Sequence, residues 1–146
     1  MLMPEPDSAV LARRPQLVAA LRRLIEPSAV IAEPAALRAY ESDGLTAYRQ
    51  PPMIAVLPRD TPEVSAILRF CHAEGVKVVP RGAGTSLSGG ALPLADGILL
   101  GLSRFNRILD IDYDNRCAVV QPGVQNLAIS HAVAERGFYY APDPSS

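Results

Sequence analysis

A short apolar run at residues 76–79 leads straight into Pro80-Arg81-Gly82-Ala83-Gly84-Thr85-Ser86-Leu87-Ser88-Gly89-Gly90. Glycine weakens both helix and strand interiors, so this stretch predicts a loop. Glycine also permits φ > 0 and lets a ligand approach the main chain with no Cβ in the way. Successive N–H groups turned to one side make a concave nest that holds an anion. A strand feeding such a loop is a candidate site for a phosphate or diphosphate. A glycine-rich surface loop without a ligand is the plain alternative.

Neither familiar phosphate loop matches the spelling. The G-x-G-x-x-G fingerprint finds Gly82 and Gly84, but Leu87 stands where the third glycine belongs. The residues after it, Ser88-Gly89-Gly90-Ala91-Leu92-Pro93, are poor helix formers. The G-x-x-x-x-G-K-[ST] loop finds Gly84 and Gly89 at the right spacing, but Gly90 replaces the lysine that would meet the terminal phosphates.

The surroundings alternate strand and helix. Residues 53–57 predict a strand. Thr61-Pro62-Glu63 predicts a helix start, with Thr61 as N-cap, proline at the first helical position and a carboxylate in the first turn. Val64, Ile67, Leu68 and Cys71 then fall on one helical face, and Gly75 caps the end. With the strand at 76–79 this predicts a βαβ unit whose strands run parallel through a right-handed crossover. The glycine loop leaves the C-terminal end of the second strand, where open α/β sheets place ligands. A third strand is expected at 97–102. Two more, at 108–113 and 117–121, should form an antiparallel hairpin across Asp114-Asn115-Arg116. Pro122-Gly123 predicts a turn. A helix over 124–136 should bury Val124, Ala128, Ile129, Ala132 and Val133, with Gly137 as its cap.

Residues 1–50 predict a helical, proline-broken lead-in that packs on the main body. Its helix at 15–25 carries Leu17, Ala20, Leu21 and Leu24 at helical spacing. The division expected is 1–50 for this lead-in and 51–146 for the ligand-binding part. The tail Pro142-Asp143-Pro144-Ser145-Ser146 is turn chemistry, which suggests a cut inside a larger domain.

With 146 residues, 49% of them apolar, the chain can bury a core, and its net charge of -1 gives no nucleic-acid footprint. Arg13-Arg14 and Arg22-Arg23 read as solvated pairs on a helix. Cys71 and Cys117 are too far apart in sequence for a C-x-x-C pair and read as small core residues, with no metal site implied. His72 and His131 fall on predicted helices and are assigned no chemistry. No transmembrane segment is evident. A cytoplasmic location is expected, with peripheral attachment at the inner face of a membrane as the alternative.

From about residue 40 onward the chain resembles the FAD-binding domain of the vanillyl-alcohol oxidase/p-cresol methylhydroxylase (PCMH) family. Within it, the likeness is to the flavin subunit of bacterial glycolate oxidase and its D-lactate dehydrogenase relatives. Four segments carry this: 43–49, 80–93, 120–124 with 126–130, and 139–146. The resemblance implies an α+β fold, the N-terminal half of a PCMH-type domain, in which the βαβ unit precedes further strands and a helix. It implies that the amides of Arg81, Gly82, Ala83, Gly84, Thr85, Ser86 and Leu87 wrap the FAD diphosphate. The hydroxyls of Thr85 and Ser86 and the charge of Arg81 would add to the grip. Gly89 and Gly90 would let the isoalloxazine end pass, Pro122 and Gly123 would lie under the adenine or diphosphate side, and Pro142, Asp143, Ser145 and Ser146 would form a second loop.

Covalent relatives carry a histidine in the glycine loop. Thr85 and Ser86 stand here, so the resemblance implies non-covalent FAD. It further implies oxidation of a 2-hydroxy acid such as glycolate or D-lactate, with iron–sulfur partner subunits, and a catalytic apparatus outside these residues. Another substrate, such as 2-hydroxyglutarate or an aryl alcohol, is the alternative within flavoproteins. A non-catalytic nucleotide-binding fragment is the alternative outside them.

Overall fold

A computed structural model describes residues 3–142. Helix α1 (Ser8–Ala12) starts where the Asp7 carboxylate accepts hydrogen bonds from the N–H groups of Ala9 and Val10. Helix α2 (Arg14–Leu24) follows after a single residue. Strand β1 (Val30–Ile31) and a short helix α3 (Pro34–Leu37) come next. Strand β2 (Ile54–Val56), helix α4 (Thr61–Glu74) and strand β3 (Lys77–Arg81) make the expected strand–helix–strand unit. Strand β4 (Gly97–Gly101) is followed by β5 (Ile108–Asp112), β6 (Cys117–Val120) and helix α5 (Asn126–Val133).

One sheet has the order β1-β2-β4-β3. Strands β2 and β3 run in the same direction as expected, but β4 lies between them and is parallel to both. Its sequence explains the place. Gly97-Ile98-Leu99-Leu100-Gly101 is buried throughout, and a continuous apolar run suits a strand covered on both faces. Strand β3, with Lys77 and Pro80, suits an edge, where a residue lacking an N–H leaves no ladder bond unmade. Strand β1 pairs antiparallel with β2, so the lead-in contributes a strand that its helical, proline-broken pattern did not suggest. Two residues are too few to show alternation.

The two faces of the sheet follow from the pleat. Ile54, Val56, Ile98 and Leu100 pack with Leu17 and Leu21 of α2 and Ile67 and Cys71 of α4. The opposite face is a small cluster of Leu37, Ala55 and Leu99. Strands β5 and β6 form a separate antiparallel hairpin.

Several local expectations need correction. The N-cap of α4 is Asp60, whose Oδ1 accepts from the Glu63 N–H at 2.9 Å, with Thr61 already helical. Leu68 is 43% exposed, outside the set of Val64, Ile67, Phe70 and Cys71 that packs on the core, and Leu24 is exposed beside a buried Ile25. Helix α5 ends at Val133 in a short 3-10 turn over Ala134–Arg136, so only Ile129 and Val133 of its predicted face are buried. Cys117 is exposed, since among the described residues no layer covers that side of its hairpin; Cys71 is buried, and desolvation pushes its thiol pKa up to about 11. Arg14 is no solvated residue. Its guanidinium donates to the carbonyl oxygens of Met53, at 3.0 Å, and Ala32, tying α2 to the sheet. Gly75 and Gly137 take the left-handed cap conformation, at φ 65° and 76°.

Candidate functional site

Strand β3 ends at Arg81, and the chain does not return to the sheet until Gly97. Its anchoring at both ends is polar. Lys77 Nζ donates to Asp96 Oδ2 at 2.7 Å, and the Asp7 N–H donates to the same oxygen at 2.9 Å. Burial raises the Asp96 pKa, but these two hydrogen bonds and the Lys77 charge outweigh it and hold the carboxyl below its usual range. At the far end the Leu102 N–H donates to the Arg81 carbonyl at 2.9 Å.

Within the loop, Gly84 and Gly89 have φ of 79° and 78°, a conformation that L side chains rarely take. Gly82, Ala83, Thr85, Leu87, Ser88 and Gly90 are exposed. A Cβ at Gly82 or Gly89 would meet nothing within 4 Å, so open space faces both. The Ser88 N–H donates to Ser86 Oγ at 3.4 Å, a long bond.

A strap formed by residues 40–45 lies along the loop. The Leu45 N–H donates to the Ser86 carbonyl at 3.2 Å and to Asp43 Oδ1 at 3.0 Å. The other Asp43 oxygen, Oδ2, is buried and has no hydrogen-bond partner. Arg81 donates from one guanidinium nitrogen to the Tyr40 carbonyl at 3.1 Å and from the other to Ser42 at 2.7 Å.

A cavity of about 600 Å³ opens beside the start of the loop. It is lined by Gly82 and Ala83 from the loop, Pro122 and Gly123 from the turn, and Gln125 and Asn126 at the start of α5. Two segments separated by some forty residues in sequence therefore meet at one concavity. Thr85, Ser86, Leu87, Gly89 and Gly90 lie outside its lining, as does Arg81. Pro142 is exposed, while Asp143, Ser145 and Ser146 lie outside the described residues. Sequence reasoning missed Ser103 and Asn106, which complete the polar wall from the β4–β5 connection. A polar loop without a motif gave no signal for them.

The Pro122-Gly123 turn is locked in place. The Gly123 N–H donates to the Phe105 carbonyl at 2.8 Å, and a Cβ there would strike the carbonyl oxygens of Leu102 and Phe105. The buried Gln121 side chain accepts from the Arg107 N–H at 2.8 Å. The cavity lining has no carboxylate to repel an anion. Helix α5 points its N-terminus at the space with no acid in its first turn. Main-chain donors, a helix start and glycines with open space suit the diphosphate of a dinucleotide. The volume is that of an ordinary cofactor site.

These features define a nucleotide-holding α+β domain. The chain belongs to the FAD binding domain family, whose profile matches residues 52–146. It is 62% identical over 107 residues to the glycolate oxidase subunit GlcD of Escherichia coli (strain K12), covering 73% of this chain and 21% of that protein. It is 32% identical over 132 residues to the D-2-hydroxyglutarate dehydrogenase of Stutzerimonas stutzeri (strain A1501), covering 90% and 28%. The chain thus spans between a fifth and a third of the length of these curated relatives. The fold matches p-cresol methylhydroxylase with substrate bound at a TM-score of 0.75, with 21% identity, 93% of this chain and 27% of that one covered. The PCMH-type α+β fold expected from the resemblance is borne out.

Proposed function

We propose that residues 51–146 hold the diphosphate side of FAD in a flavin-dependent dehydrogenase of 2-hydroxy acids such as glycolate or D-lactate, with residues 1–50 as a helical lead-in. The observation that carries this reading is the meeting of Gly82 and Ala83 with Pro122, Gly123 and the start of α5 around one cavity free of carboxylates. The amides of residues 81–87 would turn toward the diphosphate, and the hydroxyls of Thr85 and Ser86 would add donors. Gly89, with open space at its Cα, and Gly90 would let the ring end of the cofactor pass. Pro122-Gly123 would support the cofactor from below, and Pro142, Asp143, Ser145 and Ser146 would close a second loop on it.

Bound flavin supplies the hydride acceptor; the protein supplies position and electrostatics. His72 and His131 sit exposed on α4 and α5, away from the cavity lining, which supports a dissociable FAD. No helix among the described residues is long and apolar enough to cross a membrane. A cytoplasmic location, with peripheral attachment at the inner face of a membrane as the alternative, and iron–sulfur partner subunits complete the proposal. The named activity of the 32%-identical relative favours D-2-hydroxyglutarate as the second substrate to try.

The test uses the full-length protein carrying this segment. It should purify yellow and release free FAD on acid precipitation. Glycolate, D-lactate or D-2-hydroxyglutarate should bleach its visible flavin band without oxygen. A full-length protein that takes up no flavin overturns the reading. Binding without reduction by any hydroxy acid would leave an aryl alcohol as the substrate class to try, and no reduction by that either would leave the non-catalytic nucleotide-binding reading.

A further inference from the structure

The Arg81 guanidinium is spent inside the protein. It forks across two carbonyls of the strap, Tyr40 at 3.1 Å and Ser42 at 2.7 Å, and lies 5.9 Å from the Tyr40 ring centroid. Its Cζ would be 2.7 Å from a Cβ on Gly84, so it also packs under the left-handed residue of the loop. Among the described residues no carboxylate pairs with it. The strap also meets the loop directly. A Cβ on Gly44 would be 2.7 Å from the Thr85 carbonyl oxygen, and the Leu45 N–H bonds the Ser86 carbonyl. The cavity is lined by Gly82 and Ala83 but not by Arg81.

We infer that Arg81 is a positioning residue: its side chain clamps the 40–45 strap against the glycine loop and so sets the direction of the loop amides, without meeting the cofactor's charge. This rests on the FAD-holding role proposed above and differs from the phosphate-contact role that sequence position suggests for the side chain. A planar guanidinium can serve two carbonyls at once at fixed geometry; an ammonium is a point charge on a flexible stem. Geometry, and not charge, should therefore decide the effect of substitution.

The experiment compares Arg81→Lys and Arg81→Gln in the full-length flavoprotein. Under the clamp both weaken FAD binding at least about tenfold and to a similar degree, because neither can make the fork. The dependence of Kd on salt stays that of the wild type, since no charge contacting the diphosphate has been removed. In the apoprotein, hydrogen exchange at residues 42–46 and 84–90 speeds up in both variants. Near-normal binding by Arg81→Lys, with a flattened salt dependence in Arg81→Gln, overturns the inference in favour of a charge contact. Unchanged exchange in the apoprotein overturns it as well. If these variants do not fold, Gly44→Ala keeps Arg81 and its charge but pushes the Thr85 carbonyl off the strap. It should weaken FAD with an unchanged salt dependence, and wild-type affinity there sinks the clamp. Failure of the wild type to bind FAD instead overturns the proposed function, while the exchange measurement still reads the clamp.

Discussion

Gly123 shows why a single residue can govern the site without touching chemistry. Its Cα lies against two main-chain carbonyls, those of Leu102 and Phe105, and neither can swing aside as a side chain would. Gly123→Ala should cost about 1–3 kcal/mol of stability as an overpacked position and tilt the turn that lines the cavity. Urea denaturation of the variant against wild type measures it, and an unchanged midpoint contradicts the close packing. Asp96 makes the second argument at this scale. Its folded pKa is depressed, so its contribution is complete at neutral pH and is lost as the pH falls through that folded value. Asp96→Asn should therefore lower stability by about 1–2 kcal/mol at pH 7, discounted for the half-exposed Lys77, and by progressively less in acid. Denaturation at neutral and acid pH reads the convergence; a constant gap across that range contradicts it. Arg81 marks where residue-level reading of sequence stops. Its position after a strand was visible, but its carbonyl partners lie 41 and 39 residues earlier, and no local pattern encodes them.

Elements were legible where one local rule decides them. Helix α4 was readable from its apolar spacing and from Gly75, because both act within a few residues. Its start was misplaced by one position, since Asp60 and Thr61 are both good caps and only the extended Asp60 backbone, φ -155° and ψ 170°, separates them. That difference gives a direct prediction. Asp60→Ala should cost about 0.5–2 kcal/mol, and Thr61→Ala much less, because only Asp60 satisfies an N–H of the first turn. Thermal denaturation of the two variants decides it, and equal losses would restore Thr61 as the cap. Strand order was less accessible. Local spacing gives β2, α4 and β3, but the insertion of β4 between the strands depends on β3, with Lys77, Pro80 and Arg81, being the one suited to an edge, a comparison across the whole chain. Helix α5 failed in the opposite way. Its apolar spacing places Ala128 and Ala132 on the same face as Ile129 and Val133, yet only Ile129 and Val133 are buried.

At the scale of the molecule the core is uneven. The large apolar cluster and the residues packed on it run from Val10 to Leu102, so the four-stranded sheet, α2 and α4 hold most of the buried surface. The β5–β6 hairpin and α5 leave Leu109, Val119 and Leu127 56%, 54% and 63% exposed. Stability should be distributed accordingly, with β4 amides exchanging only through global unfolding and β5–β6 amides through cheaper local opening. The cavity lies on the seam, with Gly82 and Ala83 on the sheet side and Pro122 to Asn126 on the hairpin side. A ligand gripping both sides binds only the closed form, so it must stabilise the weaker part against opening. At a hundred times Kd the linkage is worth about 2.7 kcal/mol, or roughly a hundredfold slower exchange through that opening. Adding FAD to the apoprotein of full length should therefore slow exchange in residues 108–128 far more than in β4, whose amides already sit near the global limit. FAD that binds yet protects only residues 82–90 would mean the cofactor is held from one side, and the seam would then be a crevice with no part in binding.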